Sequence, residues 1–173
     1  MLRTSHMRGF SLVELTIVVA LVAIIGTIAA PSFSDLLRSS QLQTSAEEFS
    51  TFLQYARSQA IISRTPYEIE FVAASDRWEA KNLATGTVER GVTLDPTKVS
   101  LLAFDSAGAS VTKITYSAIG TADRQTFITL CKDNDVKTGH RIILQPSGST
   151  RLSKAGKKDN KLTSPDLVSC TAP

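Results

Sequence analysis

The sequence predicts an α+β protein with one long N-terminal helix, apolar in its first half, packed on an antiparallel strand-rich head. Three observations predict it. An apolar run fills residues 10–30, helical three- and four-residue spacing continues to about residue 63, and beyond Pro66 the hydrophobic period changes to two. A chain of 173 residues is long enough for one domain with a real core and too short to expect two.

The first element is Phe10 to Ala30, 21 residues with a single charge, Glu14. At 1.5 Å per residue such a helix is about 31 Å long, the thickness of a bilayer core. A buried core helix is the alternative, but those are usually shorter and polar on one face. Arg3, His6 and Arg8 precede the run without an accompanying acid, which sets the N-terminus on the cytoplasmic side and everything after Ala30 across the membrane. The net charge of +3 falls when residues 1–9 are removed, because Arg3 and Arg8 leave with them. A generic nucleic-acid argument from the basic pI therefore does not apply.

From residue 31 the helix becomes amphipathic. Leu42, Ala46, Phe49, Leu53, Ala56 and Ala60 form one apolar stripe, and Glu47, Glu48, Gln54, Arg57 and Gln59 lie opposite. The helix is expected to end before Ser63-Arg64-Thr65-Pro66. Tyr67–Phe71 alternates as a half-buried strand does, and further strands are expected at 77–81, 99–104, 113–117, 126–131 and 141–145, separated by Gly, Asp, Asn and Ser clusters. No internal repeat is present. The two cysteines, Cys131 and Cys170, allow one internal pairing. In an exported head a disulfide is the natural reading, with two free buried thiols as the alternative. The plan is a basic segment at 1–9, a membrane-length helix at 10–30, its amphipathic continuation at 31–63, and a β-rich head with a C-terminal tail at 64–173.

The most specific motif is Arg8-Gly9-Phe10-Ser11-Leu12-Val13-Glu14-Leu15. It resembles the signal of type IV prepilins and pseudopilins, in which a prepilin peptidase cuts after glycine. The resemblance implies cleavage between Gly9 and Phe10, with Phe10 becoming the N-methylated mature terminus. It also implies that 1–9 is a prepilin leader, that 10–30 is also the filament-core helix, and that the head is periplasmic. Gly9 lets an extended backbone enter a protease cleft, and cutting ahead of the apolar segment keeps the anchor on the protein. Glu14 then stands fifth in the mature chain. A carboxylate within a bilayer is costly and usually paired; in pilins the matching glutamate compensates the N-terminal amine of a neighbouring subunit. Pro31, which lacks a backbone N–H, matches the proline that kinks or locally melts the long pilin helix. A plain helix break at the membrane exit leads to nearly the same geometry.

Phe52-Leu53-Gln54-Tyr55-Ala56-Arg57-Ser58-Gln59-Ala60 resembles the helix-end signature of the GspH/FimT branch of pilin-like proteins. Ile114–Ser117 with Gly120, the strand into Cys131, and 141–145 with Gly148 resemble that branch's strand order. The resemblance implies the pilin-like fold and a low-copy subunit that initiates or caps a type IV pilus tip. The alternative is a minor pseudopilin of type II secretion. The implied partners are other pilin or pseudopilin subunits, the prepilin peptidase, the inner-membrane assembly platform and membrane lipid. The implied location is the inner membrane, with the head periplasmic.

No catalytic constellation stands out. Past the leader the only histidine is His140, expected at a strand end on the surface, and Asp133-Asn134-Asp135 reads as a solvated turn because Lys137 sits where a calcium ligand would be wanted. No cofactor or metal is expected, and the chain is not expected to be an enzyme. A third functional reading is DNA contact during natural transformation. Residues 132–161 are rich in cations, with Arg151, Lys154, Lys157, Lys158 and Lys161 as the candidates. Some FimT-type pilins bind DNA through Gly-Arg-x-Arg; the matching place here is Gly148-Ser149-Thr150-Arg151, with serine at the first arginine. Serine cannot supply that planar charged fork. The alternative is a solvated loop, since Gly156 and Asn160 interrupt the run and it lacks aromatics for stacking.

Overall fold

The computed structural model describes residues 11–159 and 163–171, apart from the side chains of 28–32. The chain divides into two compact units, Met1–Arg38 and Ser39–Pro173.

The first unit carries the opening of helix α1, Leu12–Ser63. The Leu15 amide donates to the Ser11 carbonyl at 3.1 Å, closing the first turn. Glu14 lies in that turn, where a carboxylate favours the positive end of the helix dipole. Residues 11–27 are exposed on every face. The hydroxyls of Thr16 and Thr27 donate back to the carbonyls of Val13 and Ile24, at 2.8 and 2.7 Å. These polar side chains are thus satisfied by their own helix, as an apolar environment requires. Among the described residues no helix is long and apolar enough to cross a membrane. The expected span, 10–30, extends past both ends of the described side chains of 11–27. Helix α1 continues without a break through position 31, so the expected local melting is not part of this conformation. Proline removes one i→i−4 hydrogen bond, and the helical turns on either side carry the backbone across.

In the second unit the rest of α1 packs on two four-stranded antiparallel sheets. The strands are β1 Tyr67–Val72, β2 Arg77–Asn82, β3 Val88–Val92, β4 Ser100–Asp105, β5 Lys113–Tyr116, β6 Thr126–Cys131, β7 His140–Leu144 and β8 Thr150–Leu152. One sheet has the order β3-β2-β1-β5 and the other β4-β6-β7-β8. The six expected strands are all present; β3 and β8 are additional. β3 is mostly exposed, and its pairing with β2 is irregular at Ala80/Lys81, so it lacks the alternation that betrays a half-buried strand. β8 has three residues, too few for a period.

The predicted helical stripe is the core. Leu42, Ala46, Phe49, Leu53, Ala56 and Ala60 are all buried, joined by Phe52 and packed with Tyr67, Ile69, Ile114, Tyr116, Ile128 and Leu144. Trp78 meets the Phe49 ring edge-on at 5.3 Å. A second, small cluster joins Cys131, Leu167 and Cys170, with Val136 against it.

Candidate functional site

The expected site residues lie at the start of α1, at Pro31 within it, and at Cys131 with the C-terminal segment; a junction near the end of α1 joins residues that the sequence showed only as parts of the resemblance motifs.

At the start of α1, Gly9 and Phe10 lie outside the described residues. Glu14 is described and exposed. Around it the large apolar side chains are uncovered on all sides, from Leu12 at 77% exposure to Ile25 at 64%. A contiguous apolar surface of this kind on a single chain marks contact with lipid or with other protein. Within it, Glu14 is the only formal charge between Leu12 and Thr27.

Near the end of α1, Arg57 joins turns that belong to the two sheets. Its Nε donates to the Gly120 carbonyl at 2.9 Å, and a terminal nitrogen donates to the Ser147 carbonyl at 3.0 Å. Gly120 lies in the turn after β5 and Ser147 in the turn between β7 and β8. The turns also bond directly, Ala122 donating to the Pro146 carbonyl at 3.0 Å. Both turn glycines have positive φ, +81° at Gly120 and +80° at Gly148. A Cβ on Gly148 would lie 1.8 Å from the Gly120 carbonyl oxygen, so only glycine fits this approach. Beside the junction the Tyr116 hydroxyl is buried, and burial raises its pKa well above the usual phenolic range.

The C-terminal segment holds the expected disulfide and places its cations beside acids. Cys131 and Cys170 form a disulfide with 6.0 Å between their Cα atoms, and no free cysteine remains. The tail it holds is further tied by antiparallel bridging of Lys157 with Asp166 and by the Leu167 amide donating to Gly156 at 2.8 Å. Arg151, on β8, is engaged by Asp159 at 3.3 Å. Lys157 is engaged by Asp166. Lys154 is exposed and Lys158 half-buried, and Lys161 lies outside the described residues. The cationic candidates are therefore not one free patch. Asp159 and Asp166 answer two of them, and local sequence counts do not show which acids fold back to do so.

A cleft of about 550 Å³ opens beside this segment, lined by Arg141, Arg151, Lys158, Asp159 and Phe127 among others. Arg141 is buried with its guanidinium 5.6 Å from the Phe127 ring centre, and desolvation lowers its pKa. His140 corrects an expectation. It is buried rather than on the surface, with Nδ1 3.1 Å from the Ser153 carbonyl. Ser153, the residue after β8, meets it there, a neighbour the strand pattern alone does not reveal. Asp133, Asn134 and Asp135 form an exposed turn, as expected, in which the Asp135 carboxylate accepts from Thr138 Oγ1 at 2.8 Å and the Lys137 amide at 3.0 Å, and these hydrogen bonds hold its pKa low.

Comparison with known proteins connects these places. Residues 45–148 match the family described as Type II transport protein GspH, and residues 4–30 match the prokaryotic N-terminal methylation motif. A curated relative, Type II secretion system protein H of Xanthomonas campestris pv. campestris, is 34% identical over 75 residues. That alignment covers 43% of this chain and 44% of the relative, so the chain spans less than half the length of the curated relative it matches. Among solved structures, the type IV minor pilin FimU of Pseudomonas aeruginosa PAO1 aligns with TM-score 0.58 and 23% identity, covering 76% of this chain and 96% of FimU. The minor pseudopilin EpsH of Vibrio cholerae aligns with TM-score 0.54 and 16% identity, covering 69% of this chain and 99% of EpsH. At these identities the likeness establishes a shared fold: a long N-terminal helix packed on antiparallel sheet.

Proposed function

Since the chain belongs to the GspH family, a family of minor pilins and pseudopilins, we propose that it is a tip-associated filament subunit stored in the inner membrane. It is a structural pilin-type protein and not an enzyme.

The observation that carries the proposal is the uncovered, all-round apolar opening of α1 with Glu14 as its one charge. Before assembly, lipid covers this surface, with residues 10–30 as the anchor and the head periplasmic. After peptidase cleavage at Gly9-Phe10 the new amine is cationic. A neighbouring Glu14 neutralises it inside the filament core, where both charges would otherwise be costly. The assembly platform then draws the subunit from lipid into a bundle of like helices, and the head caps or initiates the filament beside other minor subunits. Any flexure at Pro31 belongs to that assembled state.

The first reading of the system is a type IV pilus, supported by the disulfide-held tail. A second reading, a minor pseudopilin of type II secretion, is supported by the Xanthomonas relative. Deleting the gene and scoring surface piliation and exoprotein secretion together separates them. Loss of pili alone supports the first and loss of secretion alone the second; if both persist at normal levels, the filament role is refuted. Contact with DNA through Lys154, Lys158 and their neighbours is a third reading, weakened by the acids that engage Arg151 and Lys157.

A further inference from the structure

The sheet β4-β6-β7-β8 turns Ile128, Leu130, Ile142 and Leu144 to the core. By the two-residue period of a strand, Phe127, Arg141, Ile143 and Arg151 face the other way. Register keeps them adjacent: Phe127 stands opposite Ile143, and Ile143 opposite Arg151. These four line the cleft of about 550 Å³ beside the C-terminal segment, together with Lys158, Asp159 and Ser164 from that segment. Although it faces away from the core, Arg141 is only 3% exposed, so its charge is enclosed rather than on open surface.

Charge in the cleft is unbalanced. Arg141, Arg151 and Lys158 supply three positive charges against the one negative charge of Asp159, a formal +2. Asp159 meets a terminal nitrogen of Arg151 at 3.3 Å, while Arg151 Nε is buried and makes no hydrogen bond among the described residues. That donor is left for an acceptor brought from outside. A guanidinium shielded from water attracts an anion more strongly than an exposed one, and its planar fork fits the oxygens of a phosphate. Phe127 and Ile143 add an apolar wall, Gln125 an amide and Ser164 a hydroxyl.

A cleft of this size takes a small molecule. A phosphate monoester carries about two negative charges at neutral pH, which matches the excess. Free phosphate would leave the apolar wall unused, and a duplex backbone does not reach a charge as enclosed as that of Arg141. We infer that the cleft binds a phosphorylated sugar, its phosphate held by Arg151 and Arg141 and its ring laid against Phe127, with Gln125 and Ser164 bonding the ring hydroxyls. This is a property of the single chain and stands apart from the filament reading.

The test uses the full, disulfide-bonded chain in a zwitterionic detergent that contains no sugar, with glucose 6-phosphate as the probe in titration calorimetry. Saturable binding at a single site is expected, with no binding of glucose. Inorganic phosphate should bind about tenfold more weakly, because it forgoes the apolar wall. Arg151→Gln should weaken the sugar phosphate at least about tenfold, and Arg151→Lys should recover only part of the loss. Lys158→Gln, a change outside the sheets, should weaken it a few-fold, whereas Lys154→Gln, outside the cleft, should leave it unchanged. Urea unfolding midpoints equal to that of the parent certify that each variant is folded. No binding at millimolar glucose 6-phosphate overturns the proposal, as does inorganic phosphate binding equally well. So does binding that Arg151→Gln and Lys158→Gln both leave unchanged, or a DNA duplex that binds through Arg151 and is not displaced by the sugar phosphate. Each of these results leaves the filament reading as it stands.

Discussion

Arg57 on the helix donates to the carbonyl of Gly120 at 2.9 Å and so binds the end of α1 to a turn 63 residues away. The same guanidinium reaches Ser147, 90 residues away, so one side chain ties the helix to both sheets. Hydrogen bonds from a charged group contribute about 1.5–3 kcal/mol each, and the carbonyls it satisfies are costly to leave unpaired. Arg57→Ala is expected to lower the stability of the head by about 2–3 kcal/mol in urea denaturation. Lysine should recover only part, because it lacks the planar fork that serves two turns. Gly148→Ala should cost more, at least about 3 kcal/mol, since its Cβ would collide with backbone at a positive-φ position. A Gly148→Ala protein as stable as the parent would refute the junction's role.

The Cys131–Cys170 disulfide closes a sequence separation of 39 residues. On the chain-entropy account this stabilises the fold by about 4 kcal/mol. Cys170→Ser should lower the unfolding free energy by a comparable amount. It should also speed proteolysis within the tail beyond Ser153 before the sheets are cut, which timed digestion with mass spectrometry would read. Simultaneous cutting of tail and sheets would show that the tail is not separately held.

Assembly depends on Gly9 and Glu14 under the proposed function. Gly9→Val should leave a full-length precursor in the membrane, seen as a slower band on immunoblots. Glu14→Gln should be processed normally yet drop at least about tenfold in sheared filaments, because the N-terminal amine loses its counter-charge. Normal incorporation of Glu14→Gln would remove the charge-pairing mechanism.

Asp159 holds Arg151, and this gives the DNA reading a test of unusual sign. Removing an acid should strengthen binding: Asp159→Asn is expected to tighten duplex binding in fluorescence anisotropy. It should steepen the salt dependence by about 0.9 in log–log slope, the equivalent of one phosphate contact. If parent and variant bind alike, Arg151 takes no part in DNA contact.

Asp95 caps the turn before β4, accepting from Thr97 Oγ1 at 2.6 Å and the Thr97 amide at 3.0 Å. These hydrogen bonds, with Lys98 beside it, lower its pKa to about 2 from the model-compound 3.8. A depressed carboxylate favours the folded state above its unfolded pKa, and that contribution disappears as pH falls through the folded value. The cap should therefore hold above about pH 4 and be lost by about pH 2. Carboxyl NMR titration should show Asp95 with a midpoint well below 3.8, and a midpoint near 3.8 would contradict the cap.

Much of this was legible in the sequence because it is local. The stripe from Leu42 to Ala60 needs only a 3.6-residue period to be recognised as core, and six strands follow from a period of two. The apolar run with Glu14, and the Gly9-Phe10 junction, are contiguous motifs whose chemistry is readable before any fold is known. With only two cysteines, the pairing of Cys131 with Cys170 is set once a disulfide forms.

Tertiary structure decided what depends on distant residues meeting. The division of the strands into two sheets follows from pairings such as β1 with β5 and β4 with β6. Arg57 looks in sequence like one more polar residue on the solvent face; only the arrival of Gly120 and Ser147 gives its guanidinium a role. Arg151 and Lys157 look like free cations until the tail brings Asp159 and Asp166 to them, and His140 looks exposed until Ser153 covers it. Backbone period is a property of neighbours along the chain, whereas charge compensation and burial are properties of neighbours in space.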